Sequence, residues 1–165
     1  MMFYGVISRG HLRDTAIAVC DVFGRRPFDL ELLLETCATE TQLGSYPDKT
    51  PYKHGISVMQ IDHPLFKHAK QKYKNNKINT RLKSAFGVDL AKVAYRELAL
   101  NPLLGMIFAR LAYWMVECPI PATLAERAGY WKKHYNTRLG KGEVIHYIHA
   151  HQANQVSDLV RGIAA

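Results

Sequence analysis

Most of this sequence reads as α-helix, and two observations carry that expectation. Apolar residues recur at helical spacing along most of the chain, and the runs are bounded by helix punctuation such as Gly24 with Pro27, Asn101-Pro102 and Thr123-x-x-Glu126. No series of alternating strands joined by hairpin turns is visible, nor an internal repeat or a low-complexity tract. The prediction is a mainly α fold.

Leu12, Ala16, Val19, Cys20 and Phe23 share a helical face, so a first helix is expected from about His11 to Phe23, stopped by Gly24 and Pro27. Asp29 is read as the cap of a second helix, through Leu30, Leu33, Leu34 and Cys37 to an end near Gly44. Ser45 to Thr50 with Pro51 is a polar, turn-rich loop, and His54 to Asp62 is too brief to assign by periodicity. Pro64 opens a helix that carries a basic stretch and breaks near Asn75-Asn76. Leu90, Val93, Ala94 and Leu98 predict a further helical stripe. Asn101-Pro102 ends it and starts a helix to Cys118 that is apolar nearly all round, hence central. Thr123-x-x-Glu126 is a capping box, and beyond it Leu124, Ala128, Trp131 and Tyr135 fall on one face. Ile145, Ile148, Val156, Leu159, Val160 and Ile163 make the last amphipathic pattern.

A chain of 165 residues and 18.7 kDa has the length of one domain, expected to span residues 1–165. Hydrophobic content of 48% against 22% charged residues is the balance of a folded chain and excludes general disorder. Cys20, Cys37 and Cys118 are odd in number and lack metal-type spacing, which predicts core packing in a reducing compartment rather than disulfides or a zinc site. Met1-Met2-Phe3-Tyr4-Gly5 does not lead into a secretory signal, so synthesis in, and retention by, the cytoplasm is expected unless another system exports the protein. Leu103 to Val116 is shorter than the roughly 20 residues of a span and carries Arg110, so no transmembrane segment is predicted.

A net charge of +8 and a pI near 9.5 attract polyanions: nucleic acid, anionic lipid, or the acidic polymers of a bacterial wall. The densest basic stretch, Lys67 to Lys77, lacks the glycine-aromatic pattern of RNA-binding sheets and reads first as a solvated helix face, with an anion-facing patch as the alternative.

Periodicity singles out Glu40, which follows Leu33 and Cys37 on their buried-facing stripe. Glu35 points about 140° away on the same helix and is expected to be solvated. Desolvation and a place in the last helical turn both raise the pKa of Glu40, as a general acid near neutral pH requires. The competing reading pairs a buried Glu40 with one of the 22 Lys and Arg residues.

Glu40-Thr41-Gln42-Leu43-Gly44, then Gly55-Ile56-Ser57-Val58-Met59-Gln60-Ile61-Asp62, then Tyr135-Asn136 resemble in order and separation the three motifs of the goose-type lysozyme and soluble lytic transglycosylase families. The resemblance spans roughly Leu30 to Asn136 and implies a lysozyme-like helical domain with a substrate cleft. It implies Glu40 as the catalytic acid/base, a cleft formed with Gly55, Ser57, Met59, Gln60 and Asn136, and Tyr135 supporting the glutamate or the adjoining sugar. Ser57-Val58 stands where these families carry Gly-Leu, and Thr137-Arg138 where Ala-Gly is common. The stretch Tyr130 to Thr137 with Gly140-Lys141-Gly142 also resembles small bacteriophage proteins of lysozyme-like or virion type. Such a protein reaches the wall through a holin pore or as part of the particle.

Common glycosidases use two carboxyl groups. Asp48 and Asp62 are the candidates for a second one, and Asp48 as a water-positioning base would make the chain a hydrolase. With one obvious carboxylate, the resemblance implies instead the lytic transglycosylase route without metal or cofactor, acting on the glycan strand of peptidoglycan. A different class remains open: a virion structural or adaptor protein that keeps the fold, binds partner subunits or packaged DNA through its basic surface, and needs no Glu40. A free sequence-specific DNA-binding protein is disfavoured, since no helix-turn-helix with a polar recognition face stands out. His146, His149 and His151 lack a carboxylate that would complete a metal motif. Ser8, Ser45, Ser57, Ser84 and Ser157 lack a Gly-x-Ser-x-Gly elbow, so nucleophilic acyl chemistry is not expected.

Overall fold

Two helices buried on nearly every side organise the structure: α2 (Asp29–Thr41) and α5 (Pro102–Trp114). The computed structural model describes residues 1–49, 53–136 and 140–163. Leu104 to Tyr113 in α5 and Leu32 to Ala38 in α2 are buried without interruption, more than one helix face can supply, so neighbours must enclose both. Helix α1 (Arg9–Val22) lies against α5 and α2; α7 (Val144–Ala153) and α8 (Val156–Arg161) cover the rest of α2. Helix α3 (His63–Tyr73) packs on α5, α4 (Lys77–Phe86) on α1 and α3, and α6 (Leu124–Trp131) on α7. The fold is mainly α, and among the described residues extended pairing is confined to a bridge between Ile56 and Ile61.

Local chemistry explains most helix starts. Ser8 accepts from the His11 amide at α1, Asp62 from Leu65 at α3, and Asn101 from Leu104 at α5, where Pro102 supplies the first residue. At α6, Thr123 and Glu126 bond each other's amides in the expected capping box. Arg110, the one charge of α5, is matched inside the core: its Nη2 lies 3.7 Å from Asp29 Oδ2, and its guanidinium faces the Phe23 and Trp114 rings, each centred 5.3 Å away. No helix among the described residues is long and apolar enough to cross a membrane.

Several expectations are corrected. Asp29 is the first residue of α2 rather than its cap; the cap is Phe28 in a left-handed conformation, and Asp29 Oδ2 accepts from the Arg26 amide. Helix α2 ends at Thr41, three residues before Gly44, because Gln42, Leu43 and Gly44 are all left-handed. The stripe Leu90 to Leu98 is no α-helix: Leu90, Val93 and Leu98 are buried, but from a turn and a 3-10 segment, Tyr95–Leu100. Helix α5 stops at Trp114, short of Cys118, which is exposed rather than core. Helix α6 ends at Trp131, and Lys132–Asn136 continue as a π-helical turn. Helix α4 had no counterpart among the expected elements. The exposed residues of the basic stretch, including Lys67, Lys72 and Lys77, agree with a solvated face on α3 and its exit.

Candidate active site

The last turn of α2 carries Glu40, and the residue after it ties that turn to the next segment. Thr41 Oγ1 donates to the Val58 carbonyl at 2.8 Å and accepts from the Gly44 amide at 3.2 Å. Gln42 and Leu43 then close the helix by bonding Ala38 and Cys37 carbonyls. Residues 56–61 form a tight loop: Ile56 and Ile61 exchange amide-carbonyl bonds of 2.9 and 2.8 Å, and the Gln60 amide donates to Ser57 O at 3.1 Å. The loop needs left-handed backbone at Ser57 (φ +74°) and Gln60 (φ +48°). That conformation is one glycine adopts without strain, and Ser57 adopts it with a side chain. Ser57 Oγ offsets some of the strain by accepting from the Met59 amide at 3.1 Å.

The third segment arrives from α6 and the π-helical turn. Trp131, fully buried, donates its indole Nε1–H to Glu40 Oε1 at 3.1 Å. Tyr135 stacks on Tyr113 with ring centres 5.2 Å apart and donates its hydroxyl proton to the Met59 carbonyl at 2.7 Å. The extra residue of a π turn changes the register between Trp131 and Tyr135, so the first reaches Glu40 and the second the 56–61 loop. Asn136 is held by Lys132, whose Nζ donates to its Oδ1 and to the Gly140 carbonyl, both at 2.8 Å.

These segments enclose a cavity of about 560 Å³ lined by Glu40, His54, Gln60, Asp62, Tyr135, Asn136, Gly140 and Lys141. Glu40 is half-buried, opening to this space on one edge. Burial pushes its carboxyl up to about 7, and the single bond from Trp131 only partly opposes the rise. No protein-family model, curated protein or solved structure matches this chain.

Of the residues expected to line a cleft, Gln60, Tyr135 and Asn136 face the cavity with Glu40. Gly55, Ser57 and Met59 do not. Met59 is fully buried and reaches the site only through its carbonyl. Ser57 lies behind the loop against Gly105, where an added Cβ would meet Ser57 Oγ at 2.8 Å. Gly55 is a backbone requirement, since a Cβ there would sit 2.5 Å from the Gln60 carbonyl oxygen. Asp48 lines a separate groove with Phe3, Tyr4 and Leu100, whereas Asp62 shares the Glu40 cavity but spends Oδ1 on capping α3 at 2.7 Å. Thr137 and Arg138, the departure after Tyr135-Asn136, lie outside the described residues, as do positions 50–52 of the loop after Ser45.

The expectation of a solvated Glu35 is overturned. It is fully buried, with Arg127 donating Nε to Oε2 at 2.7 Å and Nη2 to Oε1 at 2.8 Å, and Tyr147 donating to Oε2 at 2.8 Å. The ion-paired glutamate foreseen as the alternative for Glu40 therefore exists five residues earlier. Three cavity residues escaped the sequence reading as site residues, His54, Gly140 and Lys141, together with Trp131. Only Trp131 left a signal: a buried indole needs a partner for its N–H, and Glu40 is the acceptor it finds.

Proposed function

We propose that the chain is a peptidoglycan lytic transglycosylase that cleaves the β-1,4 bond between N-acetylmuramic acid and N-acetylglucosamine with Glu40 alone as acid and base. The observation that carries this reading is a carboxyl poised near 7 on the wall of an open cavity, to which, among the described residues, one neutral donor and no cation is bonded. A donor on Oε1 leaves the acidic proton to Oε2. In the proposed reaction that proton passes to the glycosidic oxygen as the C–O bond breaks. The resulting carboxylate then takes the proton of the muramic C6 hydroxyl while its oxygen closes on C1, giving a 1,6-anhydro end. Each proton given is regained, so the enzyme returns unchanged. The net charge of +8 favours approach to an acidic wall, and the resemblance of Tyr130 to Thr137 with Gly140-Lys141-Gly142 to small bacteriophage proteins supports a bacteriophage setting, as endolysin or virion component.

Asp62 supports the neighbouring reading, a lysozyme-type hydrolase, because it shares the cavity; its bond to the Leu65 amide argues against a free base. Digestion of purified peptidoglycan by wild type and Glu40→Gln, with mass spectrometry of the released muropeptides, separates these readings. Anhydro ends from wild type and none from the variant are expected; reducing ends would convert the proposal to a hydrolase. If both proteins leave several wall types intact, the enzymatic reading fails and the virion structural role takes its place.

A further inference from the structure

A second cavity, of about 450 Å³, opens on the α7–α8 side of α2, lined among others by Phe28, Glu35, Arg127, His151, Ser157 and Arg161. Within it three side chains from three helices fall into line. Ser157 Oγ lies 2.9 Å from His151 Nε2, and His151 Nδ1 lies 3.1 Å from Glu35 Oε1. From this geometry we infer a second active centre, a Ser157–His151–Glu35 triad that hydrolyses small carboxylic esters.

The roles follow from what each group touches. Ser157 is exposed and so reachable by substrate, His151 is half-buried beside it, and Glu35 is fully buried. Burial alone would raise the Glu35 carboxyl; the contacts from Arg127, His151 and Tyr147 outweigh it and hold the group below its ordinary value. Glu35 is thus an anion 3.1 Å from Nδ1, which has no hydrogen-bond partner of its own, so a small rotation of the ring brings Nδ1–H onto Oε1, the arrangement that orients an imidazole. It acts through His151 and is a positioning residue. In the proposed step Ser157 Oγ bonds to the ester carbonyl carbon while its proton moves to His151 Nε2. The acyl–oxygen bond to the alcohol breaks, and His151 returns the proton to the departing oxygen. Water then repeats the sequence on the acyl-serine and releases the carboxylic acid. Arg161, one helical turn after Ser157 on the same wall and paired with Asp158, is the cation available to the anionic tetrahedral oxygen once it turns from that partner, and Phe28, Ala122 and Val160 give apolar contact for the substrate's carbon chain.

The test treats the full chain with an alkyl fluorophosphonate and maps the adduct by peptide mass spectrometry, alongside hydrolysis of p-nitrophenyl acetate. One phosphonyl group on Ser157 and saturable turnover are expected, with Ser157→Ala and His151→Gln each lowering kcat by about 10³-fold. Glu35→Gln is expected to lower kcat at least about tenfold at unchanged KM in protein that keeps its helical circular dichroism; an unchanged kcat overturns its positioning role. Should Glu35→Gln not fold, the other two variants still decide. Absence of label on Ser157, or wild-type turnover by Ser157→Ala, overturns the triad and leaves these residues as a structural tie between α2, α7 and α8.

Discussion

Glu35 and Glu40 occupy the same buried helix five residues apart, and the protein treats them in opposite ways. Glu35 is wholly enclosed, yet four contacts meet its two oxygens, from the Arg127 fork, Tyr147 and His151, and its carboxyl stays below the ordinary range. Glu40 keeps an opening to a cavity, yet among the described residues a single indole N–H serves it, and its carboxyl climbs to about 7. Depth of burial does not make a reactive acid. What decides is whether the fold returns to the carboxylate the hydrogen bonds and charge that water supplied. One end of α2 therefore anchors the later helices, and the other holds a carboxyl that stays protonated up to about 7.

The largest effect expected from breaking this contrast is on the anchor. Glu35→Gln leaves the Arg127 guanidinium buried without its counter-charge, which costs about 3–5 kcal/mol. For a domain of this size that lowers Tm by at least about 6 °C at pH 7. Because the folded pKa of Glu35 lies below the unfolded one, its contribution is present above the ordinary glutamate value and is lost as pH falls through the folded pKa. The gap in Tm between variant and wild type should thus shrink in acid; a gap that is constant with pH would refute the anchor role.

Glu40→Gln is expected to move stability the other way. A folded pKa of about 7 above the ordinary 4.5 means that the native state holds its proton more tightly, so ionisation destabilises the fold progressively as pH rises from 4.5 through 7. The neutral glutamine avoids that cost, and at pH 8 the variant should be more stable by on the order of 2 kcal/mol, with little difference at pH 4. Urea unfolding at both pH values checks it. Equal stability at pH 8 would mean that Glu40 ionises in a solvated setting.

A smaller loss, about 1–2 kcal/mol, is expected from Gly105→Ala, whose new methyl collides with Ser57 Oγ at 2.8 Å and pushes on the 56–61 loop. Adding Ser57→Gly should recover most of that loss, since it removes the obstructing atoms and suits the left-handed backbone. If the double variant is no better than Gly105→Ala alone, the loop is held by other contacts. Neither change touches Glu35, so the anchor should keep its pH dependence throughout.

The two glutamates also show where sequence reasoning reaches. Helix starts at Thr123, Asn101 and Pro64 were readable because a cap is made by residues two or three positions apart. Helix α4 was missed because only Ile78, Asn79 and Leu82 are buried, too thin a stripe to register. Leu90 to Leu98 misled because apolar residues at helical spacing also arise where irregular chain lies on a core. Glu40 stood out because its own helix places it on an apolar stripe, a local property. Glu35 escaped because its partners Arg127 and Tyr147 lie 92 and 112 residues away, and no local pattern announces a partner that only tertiary packing delivers.

The finest test removes one neutral donor from each glutamate and compares the titrations. Trp131→Phe deletes the indole N–H and, with it, the one bond that favours the ionised form of Glu40. A bond to a charged group contributes about 1.5 kcal/mol, so the carboxyl should rise further by roughly one pKa unit. In the proposed transglycosylase reaction the acid must start protonated, so on that reading the alkaline limb of the pH–rate profile on peptidoglycan should move upward by the same amount. Tyr147→Phe removes a donor of similar strength from Glu35, but Arg127 still grips both carboxylate oxygens. Its upward shift should be the smaller, with Glu35 still ionised at neutral pH. Carboxyl carbon chemical shifts in labelled protein follow both groups at once. Equal shifts would show that the two sites differ in depth alone, and the account of one helix carrying an anchor and a proton donor would have to be abandoned.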